Sequence, residues 1–293
     1  MPSAAFARVS LISAVGTYLL ILMGAIVRVT GSGLGCPDWP LCHGQWLPPL
    51  EYHAVLEYVH RTVAAIIGVP LLLMLALGFR RGNADRWTRA ALIAMFVLLV
   101  PQVLLGREVV LRELPPFLVA IHLAIALIIL ALVIFVAVSA QRAIGAIAAG
   151  EVPTGLTAVA AGMYAVLMSG ALMRAMGASW VCRGFPLCDG AWPFGDPLVD
   201  AHMTHRALAI LVGVAVIGVT FALRARLVSR PGAFVWLRLS CLFVMLQIGV
   251  GIAQVVQPAE ILQILHVAGG SAIWAALIAA MALLARSPRT YRT

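Results

Sequence analysis

The chain has 293 residues, of which 63% are hydrophobic and only 11% charged, and it carries a formal net charge of +9. A soluble globular domain is nearer half apolar and a quarter charged, so this composition excludes one and points to a membrane. The basic excess is entirely arginine, and much of it falls between apolar runs or near the termini, a distribution that argues against nucleic-acid binding.

In chain order, the sequence predicts eight apolar spans, at 9–29, 57–79, 89–108, 117–139, 155–176, 203–223, 234–256 and 262–285. Each is about 20 residues, the length that crosses hydrocarbon, and the runs are continuous rather than alternating, which favours helices over a β-barrel. The first run lacks a small-residue cleavage site and ends in GAIVRVTGSG, which has a counterpart later, so it is read as helix 1 rather than a signal peptide. Arg80, Arg81, Arg86 and Arg89 lie between helices 2 and 3. Arg224, Arg226, Arg230 and Arg238 lie between helices 6 and 7, Arg286, Arg289 and Arg292 follow helix 8, and Arg8 precedes helix 1. The segment 30–56 has no arginine. The positive-inside rule then predicts cytoplasmic N and C termini.

The loop CPDWPLCHGQW at 36–46 and the loop CRGFPLCDGAW at 182–192 both fall on the opposite, outer side. There Cys36–Cys42 and Cys182–Cys188 are expected to form disulfides, and Cys241, inside helix 7, is expected to be an apolar filler. The loops belong to a longer repeat. Gly24 and Arg28 match Gly170 and Arg174, EYVHR at 57–61 matches HMTHR at 202–206, QVLLG at 102–106 matches QIGVG at 247–251, and His122 matches His266. The offset stays between 144 and 146 residues. The expected fold is therefore all-α and integral to the membrane. Its eight transmembrane helices form two tandem four-helix bundles, residues 1–140 and 155–293, joined by a linker at 141–154 and related by pseudo-twofold symmetry.

Of seven histidines, His43 and His53 read as solvated loop residues. His60, His122, His205 and His266 lie a few residues into helices 2, 4, 6 and 8, at one depth and at repeated positions. Polar groups at such depth are costly and usually functional. Two imidazoles per half, with no clear third ligand, suit the axial positions of a haem better than zinc. Arg28, Arg61, Arg174 and Arg206 are candidate propionate partners, against the alternative of snorkelling to the interface. The repeat breaks at one informative position, where Glu57 aligns with His202. A desolvated carboxylate one turn before His60 is a candidate general acid or base, and it makes the first half the reactive one.

The ordered set Glu57-Tyr-Val-His60-Arg61, His122, His205-Arg206 and His266, with the outer Cys36/Cys42 pair, resembles the haem A synthase family of bacteria and mitochondria along the whole chain. The resemblance implies oxidation of the C8 methyl of haem O to the formyl of haem A by successive hydroxylations, for cytochrome oxidase biogenesis. It implies substrate haem O, and product haem A, between His60 and His122, with haem b held by His205 and His266. Glu57 matches the catalytic carboxylate. The implied partners are a haem O synthase and the oxidase assembly route, besides the lipid bilayer, with homo-oligomerisation left open. The haem sites are expected toward the outer face of the cell membrane. Three other readings stand beside this one: a diheme quinol-linked electron carrier, a haem transporter or chaperone, and a membrane thiol–disulfide oxidoreductase. The four histidines alone fit the carrier equally well; Glu57 and its one-sided placement speak against it.

Overall fold

The computed structural model describes residues 2–141, 144–147, 152–188 and 195–288. Eight long helices dominate them: α1 (Ala4–Val29), α2 (Tyr52–Gly78), α3 (Arg86–Leu111), α4 (Pro116–Ser139), α5 (Thr154–Ala175), α6 (Pro197–Leu223), α7 (Pro231–Val256) and α8 (Glu260–Leu284). All eight are long and apolar enough to cross a membrane, so the chain is an all-α, multi-pass membrane protein. A short antiparallel ribbon joins β1 (Ile144–Ile147) to β2 (Arg286–Pro288). Of the expected linker, residues 142–143 and 148–151 lie outside the described residues, as do Gly190 and Trp192 of the second loop and the tail arginines Arg289 and Arg292.

All eight helices begin earlier than their apolar runs, α1, α2 and α6 the most. α2 starts at Tyr52 and α6 at Pro197, where Tyr52 and His53, or Asp200 and His202, lower the hydropathy of the first turns. The start of α6 has a local cause: Asp196 accepts hydrogen bonds from the Leu198 and Val199 amides, and Pro197 needs no amide partner. Ser3 and Asp85 cap α1 and α3 in the same way. As a result His53 stands on α2 rather than in the loop, and Glu57 and His202 lie inside their helices rather than at the starts.

The chain forms two compact units. The first comprises Met1–Leu114, Ile125–Val152 and Ile278–Thr293; the second comprises Pro115–Ala124 and Pro153–Leu277. In the first, α1 runs along α2, with Gly16 under Ile67 and Gly24 under the His60 ring. Phe6, Met74, Leu92, Met95, Val133 and Val136 fill its core. In the second, α5 runs along α6, with Gly162 under Val212 and Gly170 under the His205 ring. Lipid offers helices no hydrophobic reason to associate, so close approach over glycines is what packs them.

The C-terminal tail is part of the first unit's fold. Arg286, expected only to orient the chain, is 4% exposed. It donates to Thr88 Oγ1 at 3.0 Å and Ser139 Oγ at 2.5 Å and pairs with the Asp85 carboxylate at 3.3 Å. It thereby ties the segment after α8 to the start of α3 and the end of α4. Hydrogen bonds to a charged group are worth roughly 1.5–3 kcal/mol, so Arg286→Gln should destabilise the protein by about 1–3 kcal/mol. Thermal unfolding in detergent reads this as a clear fall in Tm; no change would place the tail outside the cooperative fold.

Candidate functional site

The disulfide-bearing ends of the two units are built alike. α1 and α5 each end in a left-handed glycine, Gly31 with φ 69° and Gly177 with φ 78°. That conformation costs a residue with a Cβ but not glycine. A single 3-10 turn follows, Ser32–Leu34 or Ala178–Trp180, and then a bonded cysteine pair, Cys36–Cys42 or Cys182–Cys188, with Cα atoms 4.6 Å apart in both. Cys36, Cys42 and Ala54 form a small buried cluster with Tyr58 against it.

Each loop is held from the following helix by one guanidinium. Arg61 on α2 donates through Nη1 to the carbonyls of Asp38 at 2.7 Å and Leu41 at 3.0 Å, and through Nη2 to that of Cys36 at 2.8 Å. Arg206 on α6 donates through Nη1 to Gly184 at 2.7 Å and Pro186 at 3.2 Å, and through Nη2 to Cys182 at 3.2 Å. Both arginines, expected to reach for propionates, thus have donors committed to loop carbonyls. A Tyr58 hydroxyl bond to the Trp46 carbonyl at 2.5 Å adds a further anchor in the first unit.

Beneath the first loop lies Glu57, only 3% exposed. Its Oε2 accepts from the Cys36 amide at 2.9 Å, and its Oε1 is ion-paired with Arg61 Nη2. One turn further along α2 stands His60, whose ring packs where a side chain on Gly24 would otherwise sit. In the second unit His202 occupies the aligned place, is 4% exposed, and donates from Nδ1 to the Ala178 carbonyl at 2.9 Å. Both divergent side chains therefore join the helix to the segment before it, but only one of them is an acid.

The second unit brings two predicted ligands together. The His205 and His266 rings have centroids 6.3 Å apart and planes at 71°. Imidazole–metal bonds of about 2 Å put two ligating nitrogens about 4 Å apart, and each ring centre lies roughly 1 Å further back, which sums close to this separation. The Ser169 hydroxyl donates to the Val166 carbonyl at 2.8 Å, so it accepts from His205 Nδ1 at 2.9 Å. That leaves His205 Nε2 as the lone-pair nitrogen, the form a metal takes. Gln247 on α7 donates from Nε2 to the His266 carbonyl at 2.8 Å and touches His266 Nδ1 at 3.0 Å. Gly170 and Gly251 clear the space beside the two rings: a Cβ would meet His205 Cε1 at 2.9 Å and His266 Cε1 at 3.4 Å. This donor set fits an iron held by two axial imidazoles.

The remaining predicted residues are placed as follows. His122 is in the second turn of α4. Arg28 and Arg174 are in the last turns of α1 and α5, and Arg174 Nη1 donates to Gln263 Oε1 at 2.6 Å. His53 sits in the first turn of α2, bonded through Nδ1 to Ser32 Oγ at 2.9 Å. His43 donates from Nε2 to the Gly35 carbonyl at 2.9 Å. Among the described residues no cluster of three or more His, Cys, Asp or Glu could hold a bare metal ion. The loop role of Arg61 and Arg206 is what sequence reasoning missed; its one signal was that both arginines recur at the repeat offset together with the cysteine loop.

Comparison with known proteins bears on the whole chain. The family model COX15-CtaA, described as cytochrome oxidase assembly protein, matches residues 7–55 and 50–278. A protein named heme A synthase from Symbiobacterium thermophilum is 32% identical over 239 residues, covering 77% of this chain and 78% of its own. Another so named, from Bacillus cereus, is 30% identical over 288 residues, covering 95% of this chain and 93% of its own. A third, from Shouchella clausii, is 31% identical over 220 residues, or 71% and 72% of the two chains.

One electrostatic feature of the first loop is testable by pH. Asp38 accepts from the amides of His43 at 2.7 Å and Gly44 at 2.8 Å. Desolvation pushes its pKa up, but the two amides and the nearby Arg61 charge outweigh that and hold it below the ordinary 3.8. The loop stabilisation is therefore complete above the unfolded value and is lost as pH falls through the folded one. Reduction of Cys36–Cys42 by a phosphine, followed by mass spectrometry, should quicken below about pH 4, the ordinary carboxylate range. An Asp38→Asn protein should be reduced faster at neutral pH and lose that dependence.

Proposed function

Since the chain belongs to the COX15-CtaA family of cytochrome oxidase assembly proteins, we propose that it is a haem A synthase, an oxidoreductase that converts haem O into haem A. The reaction takes the C8 methyl of haem O to a formyl group through successive hydroxylations, removing four electrons from that carbon. The observation that carries this reading over a diheme electron carrier is Glu57. A duplicated frame holds a buried carboxylate beside one histidine site and an imidazole at the aligned place in the other.

His60 and His122 hold the iron of the substrate haem, and Glu57, one turn before His60, accepts protons or orients water at the carbon being oxidised. His205 and His266 hold haem b, supported by their fit to a bis-imidazole iron; when bound, haem b supplies one-electron redox chemistry. Ser169 fixes the His205 tautomer, Gln247 steadies His266, and Gly170 and Gly251 leave room for a flat ring. Arg28 and Arg174, at the ends of α1 and α5, are the propionate partners. Arg61 and Arg206 act on the sites through the loops they hold. Both termini are cytoplasmic, and the disulfide loops and haem sites lie toward the outer, oxidising side. A haem O synthase delivers the substrate, and cytochrome oxidase assembly receives the product.

The test is the haem content of the full-length protein purified from cells that make haem O. Wild type should carry haem b together with haem A or a hydroxylated haem O. Glu57→Gln should keep haem b and accumulate unmodified haem O. Gly170→Val, whose side chain would fill the space of the His205 ring, should lose most of its haem b. Two equivalents of haem b in wild type and Glu57→Gln alike would overturn the synthase reading in favour of an electron carrier.

A further inference from the structure

Arg61 touches both the cysteine loop and the Glu57 carboxylate through the same guanidinium nitrogen: Nη2 donates to the Cys36 carbonyl at 2.8 Å and pairs with Glu57 Oε1. The other carboxylate oxygen accepts from the amide of Cys36, the residue whose carbonyl Arg61 holds. The two constraints on Glu57 are therefore one assembly with Arg61 at its centre. Arg206 makes the equivalent loop bonds, to the carbonyls of Cys182 and Gly184, with His202 and not a carboxylate one turn before it. Anchoring the loop does not require an acid at that position. The Glu57 arm of Arg61 is an addition to the duplicated clamp.

From this we infer that Arg61 is the positioning residue of Glu57, fixing the direction in which the carboxylate faces while it anchors the disulfide loop. The inference rests on the reading of Glu57 as the acid–base group. A glutamate side chain left to its own rotamers would swing by more than an ångström, and a misplacement of about 1 Å can cost on the order of 100-fold in rate. Lysine at 61 keeps a charge for Glu57 but lacks the planar fork that reaches several carbonyls at once. The two tasks are thus separable by one substitution that keeps the charge and removes the fork.

The experiment follows haem A formed per haem O over time in the full-length protein loaded with haem O. The proteins compared are wild type, Arg61→Gln, Arg61→Lys, Glu57→Gln and the Glu57→Gln/Arg61→Gln double variant. Loop anchoring is read separately, as the rate of Cys36–Cys42 reduction by a phosphine. Glu57→Gln should slow turnover by about 100-fold or more, as expected for loss of a general acid or base. Arg61→Gln should slow it roughly 10-fold or more, and the double variant should be no slower than Glu57→Gln, because Arg61 acts through Glu57. Arg61→Lys should regain most of the turnover while its disulfide is reduced as fast as in Arg61→Gln. Multiplying losses in the double variant would overturn the proposal, since Arg61 would then act on the substrate independently. So would an Arg61→Lys protein as slow as Arg61→Gln, which would leave loop anchoring as its whole role. Should Arg61→Gln fail to accumulate, Arg61→Met, which keeps the side-chain length without its charge, takes its place in the cycle. Full turnover in Glu57→Gln would instead remove the acid–base reading itself, whereas full turnover in Arg61→Gln beside an impaired Glu57→Gln would remove only this inference.

Discussion

Each unit of this protein depends on a guanidinium that gathers the carbonyls of a cysteine loop onto the helix that follows it. Irregular backbone next to a bilayer must find partners for its polar groups, and Arg61 and Arg206 provide several each. The consequence for function is positional. Each clamp residue directly follows a proposed haem ligand, His60 or His205, so fixing the arginine fixes the helical turn that carries the imidazole. From the other side, Gly24 and Gly170 let α1 and α5 approach until their backbones line the imidazole rings. Loop, ligand and neighbouring helix are thus set by one local arrangement, used twice.

Duplication made divergence inexpensive. With the clamp, the left-handed glycine, the 3-10 turn and the disulfide kept in both units, a few positions were free to change. Glu57 became, or remained, an acid where the other unit has His202. Ser169, which sets the His205 tautomer, aligns with Met23, and Asp38, which closes the first loop on two amides, aligns with Gly184. The second unit is equipped to hold two imidazoles in a fixed geometry. The first is equipped to hold a carboxylate in one. That division matches the two tasks of the proposed reaction, electron removal and proton handling.

Much of this was legible in the sequence for physical reasons. Hydrocarbon demands about 20 apolar residues per crossing, so eight spans announce themselves. Cysteines six apart in a repeated loop announce their pairing, and His205 and His266 recur at the depth where a helix bundle can bring two imidazoles together. Other features were not legible. The starts of α2 at Tyr52 and α6 at Pro197 lie in polar turns that hydropathy does not score. An arginine after a ligand histidine looks the same whether it reaches for a propionate or a carbonyl; only the path of the loop decides. Arg286 reads as one more charge of a basic tail, yet it is buried against Asp85, Thr88 and Ser139 because β1 and β2 bring the tail back to the ends of α3 and α4.

The central claim is that one carboxylate distinguishes the reactive unit from its duplicate. The most direct measurement replaces that residue with its counterpart, Glu57→His, and determines the haems extracted from the full-length protein made in cells that supply haem O. The expected protein is folded, keeps haem b and binds haem O but forms no haem A or hydroxylated intermediate. Haem A formed at the wild-type level by Glu57→His would contradict that claim.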